Sequence, residues 1–150
     1  MKPLTTAILS VMFFALAGYA NAGGPGIALY GNWCGPGTDL TALPPLDPLD
    51  EACMRHDMCY ASTGSVACEC DVAFMGELRR IPYPNKDLYL RARAMYDALA
   101  MTPCDTPTGW AVKQSLMWSD IASDAVNGRA LPFEVPARWL YLFSYSNPYY

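Results

Sequence analysis

The 150-residue chain has a single histidine, His56, and few charged side chains, with Asp, Glu, Lys and Arg making up 16%. The 10 Lys and Arg are outnumbered by 14 Asp and Glu, which gives a formal net charge of −4 at pH 7. Nucleic-acid binding relies on clustered Lys and Arg, so this balance argues against a nucleic-acid partner. It also argues against capture by anionic lipid through charge alone. The sequence contains no internal repeat.

The chain also lacks an apolar run long enough for an ordinary membrane-spanning helix. The stretch LTTAILSVMFFALAG, residues 4–18, follows Lys2 and precedes Ala20-Asn21-Ala22. A positive start, a short apolar centre and an A-x-A site are typical of an export signal, so we predict that residues 1–22 are cleaved. A permanent N-terminal anchor is the alternative. The remaining 128 residues, 23–150, are predicted to form one domain with a net charge of −5, since Lys2 is lost.

Cysteine is present in an even number, and every cysteine lies after the predicted signal. An exported chain of this kind is expected to contain disulfides, although six cysteines allow fifteen pairings. A zinc site formed by Cys68, Cys70 and His56 is the alternative, but C-x-C lacks the usual zinc-ligand spacing. The six residues are Cys34, Cys53, Cys59, Cys68, Cys70 and Cys104.

The pattern of apolar residues favours a mainly α-helical fold. The Gly- and Pro-rich residues 23–46 show no periodicity and are predicted to be loop. Cap residues, breakers and apolar stripes predict helices at about 49–63, 66–80, 86–102 and 109–126. The aromatic segment 137–150 is predicted to be a strand, a helical turn or a tail. We expect it to pack on the helices, with a lipid-interface role as the alternative.

The stretch DEACMRHDMCY, residues 50–60, concentrates reactive groups on the first predicted helix. Cys53, His56, Asp57 and Tyr60 are spaced i, i+3, i+4 and i+7 and therefore share one face. Asp71 lies on the apolar stripe of the next helix, where a buried carboxylate requires a partner. A carboxylate behind an imidazole fixes its tautomer, so His56 and Asp71 are candidates for a base that activates water.

The stretch YGNWCGPG, residues 30–37, is rich in glycine, so its backbone carbonyls can turn inward. Calcium binds carboxylate and backbone oxygens together. Loop carbonyls with the Asp57 carboxylate therefore make a candidate calcium site. A single acidic ligand predicts weak affinity, about 10⁻⁴–10⁻³ M.

These three motifs together resemble those of the secreted phospholipases A₂. YGNWCGPG resembles the calcium loop Y-G-x-x-C-G-x-G, DEACMRHDMCY resembles the active-site helix D-x-x-C-x-x-H-D-x-C-Y, and CECD at residues 68–71 resembles C-x-C-D on the antiparallel partner helix. The resemblance covers residues 30–71 and Cys104. It implies a phospholipase A₂-like fold in which two antiparallel, disulfide-linked helices stand beside a glycine-rich calcium-binding loop.

The resemblance also implies a role for each matching residue. His56 is the general base, Asp71 orients it, and Tyr60 joins their hydrogen-bond network. Calcium is held by the Asp57 side chain and by backbone carbonyls, and the Gly35 N–H helps to stabilise an oxyanion. The carbonyl ligands are Trp33, Gly35 and Gly37.

The implied disulfides are Cys34–Cys53, Cys59–Cys70 and Cys68–Cys104, a set most similar to the short, insect-venom branch of the family. The chain departs from many relatives at Asn32 and Ala52, where they have cysteine. Pro36 lies inside the loop and restricts Gly35 to extended conformations. Only seven residues separate Tyr60 from Cys68, so the insertion found in many relatives is missing.

The resemblance implies a secreted, extracellular or periplasmic, calcium-dependent enzyme that hydrolyses the sn-2 ester of glycerophospholipids at a membrane or micelle surface. Two alternatives remain: a non-catalytic phospholipase-like toxin or lipid- or receptor-binding protein, and a calcium-binding structural module. A basic cluster at positions 79–93 faces lipid headgroups in one interpretation and is ordinary solvated surface in the other. It consists of Arg79, Arg80, Lys86, Arg91 and Arg93.

Overall fold

The computed structural model describes residues 27–37, 43–64 and 66–144. These residues contain five helices, labelled here α1 (Pro48–Thr63), α2 (Cys68–Leu78), α3 (Lys86–Met101), α4 (Pro107–Val126) and α5 (Glu134–Ser144). In these three ranges the β-type pairing is an isolated bridge between Tyr30 and Cys34. The mainly helical fold predicted from the sequence is confirmed. The predicted signal segment, residues 1–22, lies outside the described ranges.

Capping side chains set where the helices begin. Asp47, Asn85 and Thr106 each accept backbone N–H groups at the start of α1, α3 and α4, which supplies acceptors for donors that have no intrahelical partner. Gly64 ends α1 with a left-handed φ of 69°. Four helices therefore lie close to their predicted positions, although α2 is shorter than the predicted 66–80.

Helices α1 and α2 form the pair that carries the predicted reactive residues. Only four residues connect them, and a short connection makes neighbouring helices antiparallel. The disulfide Cys59–Cys70 joins them, and both pack into the same core. That core includes Leu49, Ala52, Phe74, Met75 and Leu78.

The other three helices complete the core. Helix α3 packs against α2, α4 and α5, and α4 also contacts α2. Leu142 of α5 is buried in the shared core, and Arg138 donates to Asp97 of α3 at 2.7 Å. The expected packing of the aromatic segment is thus confirmed for residues 137–144, which are helical rather than extended.

Most of the predicted basic cluster is neutralised by neighbouring aspartates. Arg79 donates to Asp120 at 2.9 Å, and Arg93 lies 3.2 Å from Asp124. Arg91 donates to Asp87, four residues earlier on α3. These pairings favour the solvated-surface interpretation. None of the helices in the described ranges is both long enough and apolar enough to cross a bilayer.

Candidate active site

His56 on α1 and Asp71 on α2 meet across the helix pair. Nε2 of His56 lies 2.9 Å from Oδ1 of Asp71. The Asp71 side chain is completely buried, and that of His56 is 12% exposed. The neighbouring Cys59–Cys70 disulfide fixes the two helices at this level. The predicted partnership of the sole imidazole with the buried carboxylate is therefore present in the structure.

Three side chains donate to the Asp71 carboxylate. Oδ1 accepts from His56 and from the Tyr60 hydroxyl, and Oδ2 accepts from Nζ of Lys113. Burial by itself would raise the pKa of Asp71, but these hydrogen bonds and the positive charge of Lys113 together lower it below its usual range. Asp71 is therefore ionised at neutral pH and acts as an acceptor.

An ionised Asp71 determines the tautomer of the neutral imidazole. Because the carboxylate only accepts, the proton of His56 lies on Nε2, which leaves a lone pair on Nδ1. Nδ1 faces Asp57, whose Oδ1 is 3.9 Å away, beyond hydrogen-bond distance. The nitrogen opposite Asp71 is therefore available to accept a proton.

Aromatic rings hold the imidazole in place. Phe74 stacks on it with a centroid distance of 4.7 Å, and Tyr60 packs at a tilt with a centroid distance of 4.2 Å. The pKa of Tyr60 is raised well above its usual value, first by burial and then by its hydrogen bond to Asp71. Tyr60 thus stays protonated and donates to Asp71 as the resemblance implies.

The glycine-rich loop is folded back on itself and tied to α1. Cys34 and Pro36 accept backbone hydrogen bonds from Leu29 and Ile27 at 2.8 and 2.9 Å. Gly35 has φ +144°, and a Cβ there would lie 1.9 Å from the carbonyl oxygen of Ile27. No residue other than glycine fits this position.

A disulfide brings the loop to the predicted calcium ligand. Cys34 is joined to Cys53, and Asp57 follows one helical turn later with a side chain that is 16% exposed. Trp33 is buried, while the neighbouring Gly35 and Gly37 are more accessible members of the same loop. The assignment of Trp33, Gly35, Gly37 and Asp57 as calcium ligands stays a prediction.

The structure contains the three disulfide pairs that the resemblance implies, Cys34–Cys53, Cys59–Cys70 and Cys68–Cys104. The alternative zinc site is thereby wrong, because Cys68 and Cys70 are oxidised and offer no thiolate. The same argument applies to the cluster of Cys68, Cys104 and Asp105. Oδ1 of Asp105 instead accepts the Cys68 backbone N–H at the start of α2.

The sequence patterns did not lead us to predict two residues of the site, Asp50 and Lys113. Asp50 is completely buried at the start of α1 and accepts backbone N–H groups of the loop. Lys113 is completely buried on α4. Its position was detectable, because Lys113 lies four and eight residues before Met117 and Ile121, both of which are buried on the core-facing stripe of that helix. A lysine on such a stripe requires a buried acceptor.

Residues 26–65 match a family model described as a phospholipase A2-like domain. Over 61 residues the chain is 41% identical to the acidic phospholipase A2 homolog taipoxin gamma chain of Oxyuranus scutellatus scutellatus. This match covers 40% of the chain and 32% of the relative, so the chain spans about a third of the relative's length. No solved structure matches the chain significantly. The segment that carries the glycine-rich loop and His56 is therefore similar to the phospholipase A2-like domain.

Proposed function

We propose that the protein hydrolyses the sn-2 ester of glycerophospholipids in a calcium-dependent reaction that yields a lysophospholipid and a free fatty acid. The observation that carries this proposal is the 2.9 Å contact between Nε2 of His56 and the ionised, fully buried Asp71. It leaves Nδ1 as a base on a side chain that is still partly accessible. The family match covers the loop and α1, which supply the remaining predicted groups.

His56 removes a proton from water through Nδ1, and the water oxygen attacks the ester carbonyl carbon. Asp71 stabilises the imidazolium formed in this step without taking its proton. General-base help of this kind contributes about 10²–10⁴-fold to the rate. The imidazolium then gives the proton to the departing glycerol oxygen, and the ester C–O bond breaks. Neither Ser nor Cys is presented to the imidazole in the described contacts, so water is the nucleophile we infer.

The donor chemistry at the loop fits a hard cation. The sulfurs of Cys34 and Cys53 are oxidised, so the nearby donors are backbone carbonyls and the Asp57 carboxylate. Calcium prefers such oxygen ligands. Trp33, Gly35 and Gly37 would hold it through their carbonyls and Asp57 through its side chain. When bound, calcium supplies positive charge that stabilises an oxyanion. The Gly35 N–H is a further candidate donor to that oxyanion.

The three disulfides support a location outside the reducing cytoplasm, because such bonds persist in oxidising compartments. We therefore infer that the protein is secreted, to the extracellular space or a periplasm. Its substrate there would be a phospholipid membrane or micelle surface.

The test uses the oxidised protein and vesicles of phosphatidylcholine with different acyl chains at the sn-1 and sn-2 positions. Products are identified by mass spectrometry with calcium and with excess chelator. We expect release of the sn-2 fatty acid alone, only with calcium. Release of both fatty acids, or equal release with chelator, would contradict the proposal.

The variant His56→Gln separates catalysis from binding. We expect it to lose hydrolysis while still binding calcium, as measured by calorimetry. If the unchanged protein binds vesicles but releases no fatty acid from several headgroups, a non-catalytic lipid-binding function takes the place of hydrolysis. The matching relative is itself named a homolog of phospholipase A2, which makes this outcome worth measuring.

A further inference from the structure

Lys113 is a charged residue in the interior of the protein. Its side chain is 0% exposed, although lysine is seldom fully buried unless its charge is paired. Removing an ammonium group from water is strongly unfavourable unless good acceptors surround it. The acceptors of Lys113 therefore indicate its role.

Nζ of Lys113 donates to Oδ2 of Asp71 and, at 2.7 Å, to the backbone carbonyl of Thr102. Oδ1 of the same carboxylate accepts from His56 and Tyr60. The two oxygens of Asp71 are thus divided, one toward the imidazole and one toward the ammonium group. The lysine lies behind the His–Asp pair rather than beside the reacting atoms.

This arrangement fixes the orientation of the carboxylate. The terminal torsion of aspartate is broad and roughly two-fold, so the group turns easily when one side is free. An ammonium group on Oδ2 holds its plane and keeps Oδ1 directed at His56. Its charge also favours the ionised carboxylate, which can only accept. Without Lys113, the buried Asp71 would bind a proton or turn, and the tautomer of His56 would no longer be fixed.

The packing of α4 brings Lys113 to this position. Gly109, one turn before Lys113, lies against the Cys68–Cys104 disulfide, and a Cβ at Gly109 would be 2.4 Å from the Cys68 sulfur. Thr106 caps the helix beside the same disulfide and contacts it. The Cys68–Cys104 disulfide, which lies one helical turn before Asp71, therefore limits how closely α4 approaches α2.

We propose that Lys113 is a positioning residue that orients Asp71 and thereby holds His56 in its Nε2-protonated form. The kinetic part of this proposal rests on the proposed hydrolase function. The family model ends at residue 65, so Lys113 lies outside the matched segment. The part of the chain beyond the family model then contributes directly to the geometry of the site.

The competing explanation is structural. Thr102 is the C-terminal cap of α3, so Lys113 could serve only to satisfy a helix-end carbonyl and join α3 to α4. The two explanations differ in whether removing Lys113 affects His56 through Asp71.

A direct test is nitrogen NMR of the imidazole in the oxidised full chain. His56 is the only histidine among the 150 residues, so ¹⁵N-labelled histidine gives signals from one ring. We expect the unchanged protein to show the Nε2-protonated tautomer with a slowly exchanging Nε2–H. Lys113→Met should give a mixed tautomer or a rapidly exchanging proton. A spectrum of Lys113→Met identical to that of the unchanged protein would overturn the proposal.

Arg138→Met is the matched control. It removes a cation from another buried ion pair, Arg138 with Asp97 at 2.7 Å, which no described contact links to His56. We expect this variant to lose stability but keep the imidazole spectrum. If Arg138→Met altered the tautomer as much as Lys113→Met does, a general loss of stability would explain both effects. The proposal would then fail.

A double-variant comparison remains decisive if Lys113→Met does not fold. Asp71→Asn/Lys113→Met removes both buried charges and is compared with Asp71→Asn alone. Because Lys113 acts through Asp71, the added change should alter the imidazole spectrum little. A large additional effect would assign the lysine to the structural role.

Kinetics add a second readout. Lys113→Met should lower kcat by about 10- to 100-fold, as for outer partners that orient a reactive group, and leave KM within about twofold. An unchanged kcat would contradict the proposal. Failure of the unchanged protein to hydrolyse lipid would instead overturn the proposed function, while the NMR result would still decide the role of Lys113.

Discussion

The Trp33 backbone N–H donates to Oδ1 of Asp50 at 2.8 Å, which anchors the glycine-rich loop to the first turn of α1. Asn32 donates its backbone N–H to the same carboxylate, and Leu46 does so at 2.9 Å from the segment before the helix. A Cβ at Gly31 would lie 2.3 Å from the Asp50 carboxyl carbon. Asp50 thus joins the loop, the helix start and the segment between them.

Asp50→Asn should loosen this loop. An amide replaces one accepting oxygen with a donor that faces N–H groups, so at least one charge-assisted hydrogen bond is lost. We expect the free energy of unfolding to fall by about 2–4 kcal/mol and calcium affinity to fall about 10- to 100-fold. Urea unfolding and calorimetric calcium titration measure the two effects.

The control for that prediction is Asp87→Asn. The Asp87 side chain is 49% exposed and pairs with Arg91 on the surface of α3, so we expect a change within about 1 kcal/mol and no change in calcium binding. Equal effects of the two substitutions would show that the hydrogen bonds of Asp50 do not anchor the loop.

Gly109→Ala should destabilise the protein even though alanine favours helices. The added methyl group would meet the Cβ and Sγ of Cys68 at 2.4 Å, and overpacking of this kind typically costs about 1–3 kcal/mol. Because α4 would be displaced from the disulfide, we also expect a lower kcat. Thermal unfolding and vesicle hydrolysis measure both quantities.

Gly76→Ala on α2 provides a control with the opposite sign. Its nearest neighbour would be the end of the Arg80 side chain at 3.4 Å, an ordinary contact. Without a clash, helix propensity should raise the free energy of unfolding by about 0.5–1 kcal/mol. Destabilisation at both positions would contradict the explanation that a steric clash acts at Gly109 and that helix propensity alone acts at Gly76.

Local patterns were sufficient to predict α1 and its contents. His56, Asp57 and Tyr60 share a face because of helical spacing, and Asp47 and Gly64 mark the helix ends by their own chemistry. The partnership with Asp71 was also predictable, since a carboxylate on an apolar stripe requires a donor. These inferences depend on short sequence separations.

The remaining features depend on tertiary contacts that no local pattern encodes. Lys113 reaches Asp71 across 42 positions of sequence, and residues 137–144 of the aromatic segment are helical and belong to α5, which packs on α3. The aromatic and branched residues of that segment are as compatible with a strand as with a helix. Packing on α3 therefore decided its structure.

The pH dependence of the unfolding free energy at acid pH should reveal the lowered pKa of Asp71. An unfolded aspartate has a pKa near 3.8, and in the fold this value is lowered. The group therefore stabilises the fold above pH 3.8, and this contribution disappears as the pH falls toward the folded value. Asp71→Asn/Lys113→Met should reduce the slope of unfolding free energy between pH 2 and 4 by up to about 1.4 kcal/mol per pH unit. Urea unfolding at several pH values measures this slope.

Asp97 supplies the comparison, because burial raises its pKa despite the opposing charges of Arg138 and Arg93. A group with a raised pKa stabilises the fold fully below pH 3.8. This contribution is lost as the pH rises through the pKa of the group in the folded protein. Asp97→Asn/Arg138→Met should therefore change the slope above pH 3.8 and with the opposite sign. Identical pH profiles for the two double variants would contradict both assignments.

Removing single disulfides should separate the metal-binding and base-positioning parts of the site. Cys34–Cys53 holds the loop beside Asp57, whereas Cys68–Cys104 holds α4 and Lys113 beside Asp71. Each alanine pair should cost about 2–4 kcal/mol of stability, mainly by releasing the unfolded chain. Calcium affinity should fall at least tenfold in Cys34→Ala/Cys53→Ala, yet stay within about threefold in Cys68→Ala/Cys104→Ala, as expected if the loop supplies the ligands. The His56 tautomer should change in the second pair and stay fixed in the first. Equal losses of calcium affinity would mean that the loop and α4 do not act separately on the site.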